Sequence, residues 1–88
     1  MEDIILNARY GLKHKLRHLN DNLWVIDFDP NSSGTYRIIG FEGESEVGKK
    51  VSALDPEGGP YLSVNSEIDG YIIKSITSNG IFELIKKD

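Results

Sequence analysis

The stretch Gly70–Lys87 reads Gly-Tyr-Ile-Ile-Lys-Ser-Ile-Thr-Ser-Asn-Gly-Ile-Phe-Glu-Leu-Ile-Lys-Lys, and it indicates the class of fold. Two runs of β-branched and aromatic residues flank Asn79-Gly80. Asn-Gly between such runs predicts a β-hairpin, because a type I′ turn needs a positive φ at both of its central residues. We therefore expect the chain to end in a hairpin over residues 70–87.

The register of this hairpin decides which side chains share a face. If Asn79-Gly80 is the turn, Ser78 pairs with Ile81 and side chains alternate between two faces from there. The face that we expect to be core carries Tyr71, Ile73, Ser75, Thr77, Phe82 and Leu84. The second face carries Ile72, Lys74, Ile76, Ile81, Glu83 and Ile85. A three-residue Ser-Asn-Gly loop with a bulge would shift the register by one and exchange these assignments.

The second face of the hairpin is more apolar than an ordinary solvated face of an antiparallel sheet. Either another segment of the chain covers it, or it meets a partner. Exposed apolar patches of appreciable size usually mark interfaces. We therefore predict that the residues of this second face contact a partner, with Lys74 and Glu83 fixing the register.

Short strand patterns separated by turn residues fill most of the remaining chain. We expect strands at about 12–19, 23–28, 35–41, 49–54 and 61–64. Turn residues such as Asn20-Asp21-Asn22 and the Pro- and Gly-rich segment 55–60 separate them, and no β-α-β pattern appears. The pattern predicts a single all-β domain over residues 1–88, folded as a small antiparallel barrel or roll of about six short strands.

The first nineteen residues fit two structures. Near-helical spacing of apolar residues and a capping Asp3 favour a short N-terminal helix, although Gly11 inside it would cost about 1 kcal/mol. Alternating basic residues after Leu12 have the period of a strand instead. We favour a strand at 12–19 paired with 23–28, and residues 3–9 remain either another short strand or a helical turn.

Composition narrows the possible functions. The chain has 88 residues, a formal net charge of −4, two histidines and no cysteine, so disulfides, thiolate zinc sites and cysteine nucleophiles are excluded. There is no Gly-rich phosphate loop and little to form a nucleophile–base pair, so we expect neither an enzyme nor a cofactor. Ile4-Ile5-Leu6 is too short for a signal or membrane segment, and we expect a cytoplasmic or virion-associated protein with no membrane contact.

Two groups of residues superficially resemble metal sites. Asp27, Asp29, Asn31 and Ser33 alternate as in a calcium loop, but an EF-hand needs Gly and Glu where Ser32 and Ile38 stand. His14 and His18 share a strand face but would lie about 13 Å apart, which is too far for one ion. We therefore expect no metal, and interpret residues 29–34 as a turn with side-chain caps.

A row of basic residues suggests a second function. Residues 1–18 are net basic, whereas residues 19–60 are net acidic. Arg9, Lys13, Lys15 and Arg17, helped by Tyr10 or Trp24, resemble the combination with which small barrels bind single-stranded nucleic acid. The row could equally discourage edge-to-edge aggregation or pair with the acidic tip Glu42–Glu46, and Trp24 is expected in the core.

The sequence does not identify a partner, but it favours one class of function. We expect a non-catalytic β-domain that acts through protein–protein contact: a self-assembling homo-oligomer, a structural or accessory subunit, or an inhibitor of a larger protein. The acidic middle of the chain makes the inhibitor conceivable, because carboxylates can imitate phosphates. The alternative is a small β-barrel that binds single-stranded nucleic acid through its basic N-terminal strand, although an acidic chain suits a phosphate backbone poorly.

Overall fold

The computed structural model describes residues 3–43 and 46–88, and these residues form an all-β antiparallel fold. The strands are β1 (Ile4–Asn7), β2 (Lys13–Asn20), β3 (Leu23–Asp27), β4 (Tyr36–Phe41), β5 (Lys50–Pro56), β6 (Leu62–Ser63), β7 (Glu67–Ile68), β8 (Tyr71–Thr77) and β9 (Ile81–Lys86). Tight turns join most neighbouring strands. The prediction of an all-β antiparallel domain is confirmed.

All nine strands of the described chain belong to one sheet, in the order β1-β2-β3-β9-β8-β5-β4, with β6 paired to β5 and β7 paired to β8. β1 and β4 lie at opposite ends of this order and do not pair with each other. The sheet is therefore open, so of the expected barrel or roll the barrel is wrong. The strand expected at 61–64 corresponds to β6, and β1 is the strand alternative for residues 3–9. The strand β7 was not expected, because two residues are too few to show an alternating pattern.

The N-terminal region is a hairpin of two strands. β1 pairs with β2, and β2 pairs with β3 through a tight turn in which Asp21 has a φ of +43°. The helical alternative is wrong for the described part of this region, where a single 3-10 turn, Arg9–Gly11, joins β1 to β2. Tyr10 and Gly11 both have positive φ there, so the chain reverses direction instead of continuing as a helix.

The C-terminal hairpin exists, but with the register of the three-residue loop. Ile76 pairs with Phe82 instead of Glu83, and the loop is Ser78-Asn79-Gly80. The Thr77 hydroxyl accepts a hydrogen bond from the Ile81 N–H at 3.1 Å, and the Gly80 N–H donates to the Thr77 carbonyl at 2.9 Å. Gly80 has a φ of +86°, and a Cβ there would lie 2.8 Å from Cγ2 of Ile26, so only glycine fits.

An irregularity between Ile73 and Ser75 changes the faces of β8. Pairing shifts by one residue at Lys74, which has no partner in the ladder and points to solvent. Ile73 and Ile76 are both fully buried, although an unbroken strand would place them on opposite faces. The assignment of Ile76 to the second face is therefore wrong, because the three-residue loop shifts its register by one and turns its side chain into the core, and the irregularity at Lys74 returns Ile73 to the same face.

The core lies on one face of the curved sheet. Its largest fully buried side chains include Trp24, Phe82, Leu16, Leu54, Ile73, Ile76 and Leu84. Trp24 lies opposite Phe82 in the ladder and packs edge-on against Tyr71 at 5.5 Å between ring centroids. The expectation that Trp24 is core is confirmed, and the opposite face of β2, β3, β8 and β9 is left towards solvent.

Candidate functional site

The outer face of the three central strands is apolar. Trp24 and Ile26 of β3 point into the core, so Leu23 and Val25 point outwards by alternation. Val25 lies opposite Ile81, and Ile72 lies opposite Ile85. We call the set of outward apolar side chains on β3, β9 and β8 the outer stripe: Leu23, Val25, Ile72, Ile81 and Ile85.

The members of the outer stripe touch water. Leu23 and Ile85 are 38% and 39% exposed, and the other three are half-buried by their neighbours within the sheet. Leu23 lies opposite Glu83 and therefore diagonal to both Ile81 and Ile85, which makes the stripe continuous across β3 and β9. Every described strand belongs to this one sheet, so no second layer of strands covers the stripe.

Glu83 and Lys74 bring opposite charges to this surface. Glu83 stands in the middle of the stripe, and its Oε1 accepts a hydrogen bond from the Ser75 hydroxyl at 3.2 Å. Lys74 is exposed at the irregularity of β8 and forms no ion pair with the described residues. Lys74 and Glu83 form no ion pair with each other in the described hairpin, and both charges remain available at the surface.

The structure brings together most of the predicted contact residues. Ile72, Ile81, Glu83 and Ile85 share the outer face, and Lys74 lies beside them. Ile76 is 0% exposed and cannot contact a partner from within the core. Sequence analysis missed Leu23 and Val25, since only the pairing of β3 with β9, which are far apart in the sequence, places them next to the hairpin.

The basic residues of β2 lie on the same outer face, and two of the four residues in the basic row are paired. Lys15 Nζ lies 3.6 Å from Asp3, and Arg17 Nε donates to Asp27 at 2.6 Å, an interaction that raises the pKa of Arg17 through the hydrogen bond first and the charge second. Neither ion pair involves the acidic tip Glu42–Glu46. Within that tip Glu46 pairs with Lys49 at 3.3 Å, while Glu44 and Ser45 lie outside the described residues.

The aromatic groups invoked for nucleic-acid stacking are separated by the fold. Trp24 is buried in the core, whereas Tyr10 is 94% exposed at the β1–β2 turn beside Arg9. Of the four basic residues, Arg9 and Lys13 make no ion pair with the described part of the chain. The arrangement leaves two basic side chains and one tyrosine, a small surface for a phosphate backbone.

His14 is a buried structural residue. Its Nδ1 accepts a hydrogen bond from the Asp29 N–H at 3.0 Å, so Nε2 carries the proton and donates to the Glu57 carbonyl at 2.8 Å. The ring packs edge-on against Phe28 at 5.1 Å between centroids. Because both ring nitrogens hold backbone groups, His14 ties the loops after β3 and β5 to β2 and offers no free nitrogen for catalysis or a metal.

The carboxylates around His14 cap backbone groups. Hydrogen bonds from the N–H groups of Asn31 and Lys13, both at 2.8 Å, lower the pKa of Asp29. Hydrogen bonds from the hydroxyl and the N–H of Ser33 lower the pKa of Glu57. Asp29, the central residue of the calcium-like spacing, therefore fixes a turn, as the alternative interpretation of this loop proposed.

The described residues contain neither a cluster of metal-ligating side chains nor a membrane-spanning helix. Among residues 3–43 and 46–88, no three His, Asp or Glu side chains converge as a metal site would require. No helix of sufficient length and hydrophobicity to cross a membrane occurs in the same residues.

Comparisons of this chain with models of protein families, with curated proteins and with solved structures gave no match.

Proposed function

We propose that this protein is a non-catalytic β-domain that acts through protein–protein contact, and that it self-associates through the outer stripe. The observation that supports this proposal is the continuous apolar surface of Leu23, Val25, Ile72, Ile81 and Ile85 on the face opposite the core. The outer face of an antiparallel sheet is ordinarily polar. Burial of apolar surface is the dominant driving force for association.

The charges on this surface favour a second copy as the partner. In a twofold-symmetric contact each surface patch meets itself, so every group must find its complement within the same patch. Lys74 and Glu83 supply one unpaired cation and one carboxylate at neighbouring positions. A twofold axis through the stripe would place Lys74 of one copy against Glu83 of the other and fix the register of the two sheets.

Light scattering after size exclusion, over a range of concentrations, tests self-association. The wild-type protein should have the mass of a dimer or larger, and Leu23→Glu and Ile85→Glu should shift it to a monomer by raising the dissociation constant at least about tenfold. Ile5→Glu is the matched control, because Ile5 is 54% exposed on the outer face but away from the stripe. A wild-type monomer at all concentrations would contradict the proposal.

The nucleic-acid alternative is decided by a separate titration. Binding of a mixed oligonucleotide at low salt, lost as the salt concentration rises and weakened by Arg9→Ala and Lys13→Ala, would favour the basic row as the functional surface. We expect no measurable binding, because Lys15 and Arg17 already have carboxylate partners.

A further inference from the structure

The β1 end of the open sheet approaches the segment that follows β5 along a seam that is closed at one end. The Arg9 N–H, just after β1, donates to the Gly58 carbonyl, just after β5, at 2.6 Å. Gly58 allows this approach, since its φ is +65° and a Cβ there would lie 3.4 Å from Cβ of Arg9. Beyond this contact β1 and the segment carrying β6 and β7 separate, and a groove of about 350 Å³ lies between them.

The groove has apolar walls. Its lining includes Leu6 on the β1 side and Leu62, Ile68 and Ile73 on the other. Its rim carries Ile5 and Tyr61, which are 54% and 57% exposed. An apolar groove beside a sheet end has the general form of sites that accept side chains of an added strand.

One wall of the groove is an unpaired strand edge. The Ala8 N–H donates to the Leu12 carbonyl at 2.8 Å, and bonded positions alternate along an antiparallel ladder, so Leu6 and Ile4 also bond to β2. The N–H and C=O groups of Ile5 and Asn7 therefore point away from β2. Neither residue forms a backbone hydrogen bond at this free edge with the described chain.

We propose that the seam binds an extended segment of a partner polypeptide, which adds as a strand to the free edge of β1. The alternating N–H and C=O groups of Ile5 and Asn7 are complementary to the backbone of a β-strand. Apolar side chains at alternate positions of the segment would enter the groove, as in other cases of strand addition. This inference does not depend on the outer stripe, which lies on β3, β9 and β8.

A second copy of this chain is a poorer occupant of the seam. Its longer free edges are β1, which has four residues, and β4, in which Gly40 with a φ of +76° interrupts the pairing with β5 between Ile39 and Phe41. Both edges are short, and each would bring a neighbouring strand with it. A single extended segment occupies the width of only one strand in the seam.

The test titrates the isotope-labelled full chain with a capped peptide, Lys-Val-Thr-Ile-Thr-Val-Lys, and follows its amide signals and hydrogen exchange. The amides of Ile5 and Asn7 should shift saturably and exchange at least about fivefold more slowly at saturation, because strand pairing protects them. The same peptide methylated on alternate backbone nitrogens should lose this effect. No saturable shift at millimolar peptide, or equal shifts with the methylated peptide, would overturn the proposal.

Two variants test the edge and the groove separately. Asn7→Pro removes an outward N–H at an edge position that tolerates proline, so it should weaken peptide binding at least about tenfold. Asn7→Thr keeps this N–H and should bind the peptide as the wild type does. Tyr61→Asp should weaken binding through the rim without touching the β1 backbone. Leu23→Glu should bind like wild type. If the Ile5 and Asn7 amides become more protected from hydrogen exchange as the protein concentration rises without peptide, the occupant of the seam is a second copy of this chain, which would overturn the proposal.

Discussion

The outer faces of the first and last hairpins follow the same alternation but have opposite character. On β2 the outward residues are Lys13, Lys15 and Arg17, and two of these meet carboxylates on neighbouring segments. On β9 the outward residues are Ile81, Glu83 and Ile85, and β3 and β8 extend this surface with further apolar side chains. The first arrangement is that of a solvated sheet, whereas the second exposes apolar area to water with no covering layer of strands among residues 3–43 and 46–88. This difference is the reason that we propose the centre of the sheet, and not its basic end, as the contact surface.

The sharpest test within the last hairpin compares its two faces. Ile76→Asp buries a carboxylate at a fully buried position and should cost more than about 4 kcal/mol, enough to unfold a domain of this size. Ile85→Asp, on the outer face, should leave the fold intact. Circular dichroism with thermal melting measures both, and a folded Ile76→Asp would contradict the register described here.

A second comparison uses the two histidines of β2. His14→Ala leaves the buried Asp29 N–H without its acceptor and opens a cavity, so the free energy of unfolding should fall by about 2–3 kcal/mol. His18→Ala removes a more exposed ring whose Nε2 hydrogen-bonds to the Asp21 carbonyl, and should cost less than half as much. Urea denaturation followed by Trp24 fluorescence measures the two values. Equal losses would show that His14 does not hold the loops.

The hairpin loop provides a third, smaller effect. Gly80→Ala combines a positive φ with a Cβ placed 2.8 Å from Ile26, and should destabilise by about 2 kcal/mol. Gly70→Ala has a similar φ of +84° but nothing within 4 Å, and should lose only about 1 kcal/mol. Urea denaturation measures the free energy of unfolding of both variants, and the difference between their losses reports the close contact of Gly80 with Ile26. Equal losses would contradict the three-residue loop.

The smallest expected effect is a dependence of stability on acid pH. Hydrogen bonds lower the pKa of Asp29 and of Glu57 in the folded state. The contribution of these two carboxylates to the free energy of unfolding is therefore complete above the ordinary carboxyl pKa of about 4, and it is lost as the pH falls through the lowered pKa values. Asp29→Asn should flatten the loss of stability below pH 4, measured by denaturation at successive pH values. An unchanged slope in this variant would show that the Asp29 carboxylate does not stabilise the fold.

The sequence predicted the class of fold and the position of the hairpin, because Asn79-Gly80 between β-branched runs has a local physical meaning. It did not predict the register, because the Thr77 hydroxyl supplies the bond that selects a three-residue loop, and neither that bond nor the irregularity at Lys74 leaves a sequence pattern. Whether the sheet closes depends on pairing between distant strands, here β1 and β4, which local sequence patterns do not reveal.

The candidate site was predicted only in part for the same reason. Alternation in the hairpin identified Ile72, Ile81, Glu83 and Ile85, which share the outer face. Leu23 and Val25 belong to the same surface through the pairing of β3 with β9, a contact that local patterns do not reveal. Ile76 was misplaced because one residue of register exchanges the two faces of a strand.

The most direct test of the central claim maps the contact surface residue by residue. Amide chemical shifts of the wild-type protein, recorded from micromolar to millimolar concentration, report which groups change on self-association. We predict concentration-dependent shifts at Leu23, Ile81 and Ile85, with Lys13 and Ile5 unchanged. Shifts that are independent of concentration, or that map to β1 and β2 instead, would contradict the assignment of the outer stripe as the surface through which this protein binds a second copy.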